Sequence, residues 1–285
     1  TMLAMRDAAL AIVGDAGPAY TITEVLDNPN PHIRRRILGT MHVPLFLSQA
    51  GPGGKLVVDE RGLPKQNGFA DYPFLVQIPN SATTGTPGAI LQNGHGLLGH
   101  KEEGQDGFLA TLIDQKDYVE IAVDLIGFAH DDVDSVINAI LNDMATFKDV
   151  VDRQQQGMIN QLLAMRMMKG RFWKDPMVQF GGVSAIDPAH CYYRGDSQGG
   201  LAVLVGGDAG ACGDEGANHV GLAVERGDAA GTGHPLLVAD EQRLLDGDLR
   251  VALVEASEER RDEARGDAWR RRARGRRGQT RRPLQ

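Results

Sequence analysis

The sequence is poor in cysteine and in aromatic residues, and it contains no long apolar run. Its two cysteines, Cys191 and Cys212, are too few for a disulfide framework and lack the paired spacing of a zinc site. Charges or glycines interrupt every apolar run well before the roughly 18 residues that a membrane-spanning helix requires. The sequence therefore predicts no membrane span, and its 42% hydrophobic and 24% charged residues indicate a globular protein of 285 residues.

Positive charge is scarce over most of the chain. The net charge is −8, and the last sixteen residues contain eight arginines and no acid, so the first 269 residues carry −16. An acidic body argues against a nucleic-acid partner. The Arg-rich tail leaves open one weaker hypothesis, electrostatic binding to an anionic surface. The start of the sequence shows no recognisable signal peptide, and it predicts neither a compartment nor an oligomeric state.

The composition changes abruptly just after residue 200. All 13 Ile, all nine Met, all seven Lys and 14 of the 15 aromatic residues lie before residue 201. A segment with so few large side chains is typical of a marginal or disordered region. We therefore divide the chain into a β-rich segment packed on the core (1–80), a core (81–205) with a helical insertion (131–170), and an Arg-rich segment (206–285) that we expect to be disordered or out of frame.

Hydrophobic periodicity predicts strands alternating with helices before residue 205. The predicted strands are 20–25, 33–47, 72–78, 89–92, 119–125 and 190–193, and the predicted helices are 107–115, two within 133–169, and one that begins near Gly199. Such alternation indicates βαβ units. The predicted fold class is α/β, with a mainly parallel sheet that is flanked by helices and is incomplete at its C-terminal side.

A G-x-S-x-G pattern at 195–199 lies between the last predicted strand and the next helix. A serine on a tight strand-to-helix turn projects its hydroxyl above the sheet, and the crowded turn requires glycine two positions before and after it. The amino end of the helix would point at a developing oxyanion. The pattern predicts Ser197 as a nucleophile on a nucleophile elbow, although a turn without a catalytic role has the same composition.

A second glycine-rich loop, at 94–99, follows an earlier predicted strand. Acyl transfer requires two backbone donors for the oxyanion, one after the nucleophile and one from such a loop. Gln198 would supply the first N–H and Leu97, which follows His95 and Gly96, the second. The alternatives are a phosphate-binding turn, whose full fingerprints are absent, or a plain connection. His95 by itself is more typical of a structural residue than of a catalytic base.

These motifs resemble those of the α/β-hydrolase superfamily, specifically its serine esterases and lipases with an HG-type oxyanion loop. The resemblance covers residues 89–205, including Asp124 and Gly127, which match an Asp-x-x-Gly at the end of the family's next strand. It implies an α/β-hydrolase-like sheet, Ser197 as the acyl nucleophile and an oxyanion hole at Leu97 and Gln198. It also implies a small-molecule ester substrate, with no cofactor and no metal.

The sequence departs from the family pattern after Ser197. The family places an acid and then a histidine on later strands, whereas only His219 and His234 follow here, close behind the serine. His234 is the predicted base, and the acid is unassigned among Asp208, Asp214, Glu215 and Asp228. The sequence therefore supports a carboxylesterase or lipase, or alternatively an inactive hydrolase-like binding or structural module that lacks a complete triad.

An acidic cluster precedes one of the predicted helices. It consists of His130, Asp131, Asp132 and Asp134. Such a cluster could bind a divalent cation, but acids before a helix more often cap its N-terminus and interact favourably with the helix dipole. We therefore predict a helix cap and no metal site.

Overall fold

The computed structural model describes residues 1–82, 85–105 and 107–200, together with the backbone of 222–225. These residues belong to one compact unit. The helices are α1 (Met2–Val13), α2 (Gly107–Lys116), α3 (Val133–Leu141) and α4 (Phe147–Gly170). The strands are β1 (Ala19–Asn30), β2 (Ile33–Pro44), β3 (Phe69–Pro79), β4 (Gly88–Gly94), β5 (Tyr118–Val123), β6 (Gln179–Phe180), β7 (Val183–Ser184), β8 (Ile186–Asp196) and β9 (Leu222–Glu225).

Seven of these strands form one mixed sheet in the order β1-β2-β3-β5-β4-β8-β9. The pairs β1–β2, β2–β3 and β3–β5 are antiparallel, whereas β4–β5, β4–β8 and β8–β9 are parallel. The prediction of a mainly parallel sheet is therefore wrong. The physical reason is the hairpin between β1 and β2, because two strands joined by only two residues can pair only in the antiparallel direction. Since β1 and β2 belong to the same sheet as the parallel strands, the sheet is mixed.

The predicted strands and helices before residue 200 are present, with shifted ends. The helix predicted near Gly199 begins at Gln198. Helix α1, which the sequence analysis missed, lies in an Ala-rich stretch and buries Met5 and Ala9. Of the predicted segment 206–285, the structure describes only the backbone of β9, which pairs in parallel with β8 and extends the sheet by one strand. The rest of the segment lies outside the described residues, so the prediction of a sheet that is incomplete at its C-terminal side stays a prediction.

Helices cover both faces of the sheet. The adjacent residues Ile90 and Leu91 on β4 point to opposite faces, since side chains alternate along a strand. Ile90 belongs to the large core cluster that includes residues of α1 and α4, whereas Leu91 packs with Leu109 and Ile113 of α2. This part of the prediction is confirmed. No helix within the described residues has the length and apolar character needed to cross a membrane.

Candidate active site

Ser197 lies on a strained turn between β8 and the helix that begins at Gln198. Its φ is 48°, in the left-handed region that a residue with a side chain rarely adopts, at a cost of about 1–3 kcal/mol. Its side chain is exposed. This is the local geometry that the G-x-S-x-G pattern predicts.

The two glycines of the pattern lie where no side chain fits. A Cβ atom on Gly195 would collide with the backbone of Gly199 and Gly200. One on Gly199 would lie 2.7 Å from the carbonyl carbon of Gly94 and 2.7 Å from the carbonyl oxygen of His95. The start of the helix therefore packs directly against the end of β8 and against the loop that follows β4, which explains the glycine at both positions.

The loop after β4 lies beside Ser197. Strands β4 and β8 are parallel neighbours in which Gly94 pairs with Gly195, so the chain leaves both strands at the same edge of the sheet. A Cβ atom on Gly96 would lie 3.9 Å from the Ser197 Cβ. The two motifs are therefore adjacent in space, as the sequence predicts. A serine on a strand-to-helix turn beside a glycine-rich loop from an earlier strand is the structural context that the G-x-S-x-G motif requires.

No family model matches the chain, and no curated protein matches it. Solved structures of esterases and lipases do match the chain, at low sequence identity. A Bacteroides fragilis protein assigned as an acetyl xylan esterase is 14% identical, with 74% of this chain and 49% of that chain covered and a TM-score of 0.42. A Geobacillus stearothermophilus carboxylesterase is 17% identical, with 52% of this chain and 27% of that chain covered and a TM-score of 0.29. Candida antarctica lipase A is 10% identical, with 68% of this chain and 38% of that chain covered and a TM-score of 0.34. The chain spans about half or less of these structures, and likenesses this distant assign no substrate or residue role to it.

His95 is buried and both of its ring nitrogens are occupied. The Leu125 N–H donates to His95 Nε2 at 2.7 Å, so the proton of the neutral ring is on Nδ1, which donates to the Gly96 carbonyl oxygen at 2.7 Å. A ring held in this way has no free nitrogen to accept a proton. His95 therefore holds the loop in place, which agrees with the prediction that it is a structural residue.

The hydrogen bonds to Gly96 set the direction of the Leu97 N–H. The Gly96 carbonyl oxygen also accepts the Gly99 N–H at 3.1 Å. Because the carbonyl of Gly96 and the N–H of Leu97 belong to one planar trans peptide, they point in opposite directions. The Leu98 N–H donates to the Phe128 carbonyl oxygen, while the Leu97 N–H has no acceptor among the described residues. Leu97 therefore presents a backbone donor on the loop beside Ser197 that has no acceptor in the described part of the chain.

Gln198 and His234 complete the set of residues predicted from the sequence. Gln198 begins a helix, where the first N–H groups have no partner within the helix; its role as a second donor stays a prediction. His234 lies outside the described residues, as do His219 and the candidate acids. The assignment of His234 as the base stays a prediction.

The acidic cluster lies at the start of α3, with Asp134 in the first turn of the helix, and one of its members, Asp132, also supports the preceding loop. Asp132 Oδ2 accepts the N–H of Gly127 at 2.6 Å and that of Ala129 at 3.2 Å, and Oδ1 pairs with Arg153. Asp132 makes no side-chain cap hydrogen bond to α3; it instead fixes the loop that accepts the Leu98 N–H. Within the described ranges no three His, Cys, Asp or Glu side chains are grouped to hold a metal ion.

The sequence analysis missed Glu103, which contacts the loop directly. The Gly96 N–H donates to Glu103 Oε2 at 3.1 Å, from a short 3-10 helix, Lys101–Gln105. No motif marks this residue, since a glutamate in a charged, glycine-containing loop is ordinarily solvated. Only the three-dimensional path of the chain brings it to Gly96.

Replacing Gly199 with alanine is expected to destabilise the protein by about 2 kcal/mol, because the added methyl group meets backbone atoms that must move. Urea unfolding of the variant and of the parent protein measures the difference. Gly107→Ala is the matched control, since a Cβ on Gly107 meets nothing within 4 Å. Equal stabilities of the two variants would contradict the crowded turn.

Proposed function

We propose that the chain is a serine hydrolase of the carboxylesterase or lipase type, which cleaves small-molecule carboxylic esters through an acyl-enzyme on Ser197. The observation that carries the proposal is the exposed Ser197 on a strained strand-to-helix turn, beside a loop that offers the free Leu97 N–H. A serine hydroxyl next to preorganised backbone donors is the arrangement that acyl transfer requires.

In the proposed reaction, Ser197 Oγ attacks the ester carbonyl carbon and its proton passes to a general base, for which His234 is the predicted residue. The carbonyl oxygen becomes an oxyanion that accepts hydrogen bonds from the N–H groups of Leu97 and Gln198. Collapse of this intermediate breaks the bond to the alcohol oxygen, which takes the proton from the base. Water then attacks the acyl-enzyme, releases the carboxylic acid and restores the serine.

A second candidate is an inactive hydrolase-like module that binds a ligand or supports an assembly. The observation that favours it is in the sequence: only His219 and His234 follow Ser197, close behind it, where the resemblance implies an acid and then a histidine on later strands. Without a base the serine hydroxyl is a weak nucleophile. The two candidates differ in one measurable property, the reactivity of Ser197.

Covalent labelling distinguishes them. A fluorophosphonate probe is expected to react with the folded protein, and peptide mass spectrometry is expected to place the adduct on Ser197, with a parallel loss of p-nitrophenyl acetate hydrolysis. Heat-denatured protein serves as the control, because activation of the serine depends on the folded site. Folded protein that neither reacts with the probe nor hydrolyses the ester would support the inactive module.

A further inference from the structure

The 3-10 helix Lys101–Gln105 is attached to the sheet at both ends. At its start the Lys101 N–H donates to Asp124 Oδ1 at 2.7 Å, just beyond β5. Towards its end the carbonyl oxygen of Gly104 accepts the Gln77 Nε2 at 2.6 Å, from β3. These anchors, one on β3 and one directly after the neighbouring strand β5, fix the turn relative to the edge of the sheet from which the Gly96 loop emerges.

Glu103 reaches from this turn to two points of the loop. Its Oε2 accepts the Gly96 N–H at 3.1 Å. On its other side the carboxylate packs against the Cα of Gly99, where a Cβ atom would lie 2.8 Å from Glu103 Cδ and would collide with Oε1. A side chain at position 99 would displace the Glu103 carboxylate, so the contact depends on the length of the Glu103 side chain as well as on its charge.

These contacts determine which loop amide is free. Glu103 takes the Gly96 N–H, while Leu98 and Gly99 donate to backbone carbonyls, so Leu97 alone among residues 96–99 keeps an N–H without an acceptor in the described structure. If Glu103 were removed, the Gly96 N–H would also be free and the loop would lose one of its supports. The donor that faces an ester carbonyl would then no longer be uniquely defined.

We propose that Glu103 is a positioning residue for the oxyanion hole: its carboxylate holds the Gly96 amide, so that the Leu97 N–H is aimed at the developing oxyanion. The inference rests on the proposed esterase function. Glu103 itself takes no part in proton transfer. It acts through Gly96 and Gly99, by fixing the loop before substrate binds.

The test is steady-state hydrolysis of p-nitrophenyl acetate by Glu103→Ala, Glu103→Asp and Glu103→Gln. Misplacement of a transition-state donor lowers kcat more than it raises KM. We expect Glu103→Ala and Glu103→Asp to lower kcat by about 10- to 100-fold, with KM changed less than about twofold. Glu103→Gln keeps the length and an acceptor oxygen, so its kcat is expected within about threefold of the parent value.

The neighbouring Glu102 provides the matched control. It is in the same turn and pairs with Lys101 at 2.7 Å and with His100 at 3.0 Å, so Glu102→Ala removes the same charge without touching the loop. The kcat of Glu102→Ala is expected within about twofold of the parent value, because Lys101 keeps its second carboxylate partner, Asp124, at 3.5 Å. Thermal unfolding confirms that each variant is folded at the assay temperature, and Glu103→Asp and Glu103→Gln decide the test if Glu103→Ala does not fold.

The outcomes separate the inference from the proposed function. An active parent protein whose Glu103→Asp variant keeps its kcat, or whose Glu103→Gln variant loses as much as Glu103→Asp, would overturn the positioning role alone. A folded parent protein without ester hydrolysis would overturn the proposed function, and the inference with it. A loss in Glu103→Asp with recovery in Glu103→Gln would support both.

Discussion

Replacing Ser197 with alanine is expected to lower kcat/KM for p-nitrophenyl acetate by about 10⁴- to 10⁶-fold, because the acyl-enzyme route is lost when the nucleophile is removed. The residual rate comes from the oxyanion donors, which still polarise a bound ester. Little change in stability is expected, since the Ser197 side chain is exposed. Steady-state kinetics with purified variant and parent protein measures the loss.

The control for this prediction is Ser135→Ala on α3, which removes a hydroxyl outside both the Ser197 turn and the loop at 94–99. It is expected to keep the parent rate. A Ser197→Ala variant that keeps more than a tenth of the parent activity would show that a different group attacks the ester. The Ser197-based mechanism would then be abandoned.

The neighbourhood of Ser197 could be predicted from the sequence because it depends on short sequence patterns, namely glycine-rich loops that follow apolar strands. The glycines around Ser197 and in the loop before Leu97 mark places where backbone approaches backbone, and each loop follows a recognisable apolar strand. Two parallel strands bring such loops to the same edge of a sheet. Their adjacency follows once β4 and β8 pair in parallel, an arrangement that the resemblance to a known family implies and that strand periodicity alone does not.

The antiparallel half of the sheet and the supports of the loop could not be predicted in this way. Strand periodicity gives the alternation of faces but contains no information about which strand pairs with which or in what direction. Glu103 and Asp132 are acidic residues in loops, and composition predicts such residues to be solvated. Each acts on backbone amides that are brought to it only by the folded chain.

A row of polar side chains crosses three adjacent strands, with Gln77 and Glu120 buried and Arg36 half-buried. In the sheet register Arg36 on β2 pairs with Gln77 on β3, which pairs with Glu120 on β5. Arg36 donates to Gln77 Oε1 at 2.8 and 3.0 Å, and Gln77 Nε2 donates to Glu120 Oε2 at 2.8 Å. The other carboxylate oxygen of Glu120 is buried without a hydrogen-bond partner in the described structure. Charged residues at central strand positions are rare unless they are paired.

Burial raises the pKa of Glu120 from 4.5 to about 8, although the Gln77 hydrogen bond and the charges of Arg194 and Arg36 lower it. The folded protein therefore retains a proton that the unfolded chain has lost at any pH between these two values. Stability falls as the pH rises wherever the folded state binds more protons than the unfolded state. The free energy of unfolding is expected to fall by ~1.4 kcal/mol per pH unit across this window because of Glu120.

Glu120→Gln is expected to remove this dependence, since an amide does not titrate in the range. The stability of the variant relative to the parent protein should rise by roughly 4 kcal/mol between pH 5 and pH 8 and then level off. Urea unfolding at pH 5, 6.5 and 8 measures the difference, with Glu60→Gln, at an exposed loop position, as the matched control. A difference between Glu120→Gln and the parent that is constant over this range would show that Glu120 is ionised in the folded protein. The row from Arg36 to Glu120 would then be an ion-paired network in which the positive charges outweigh the cost of burial.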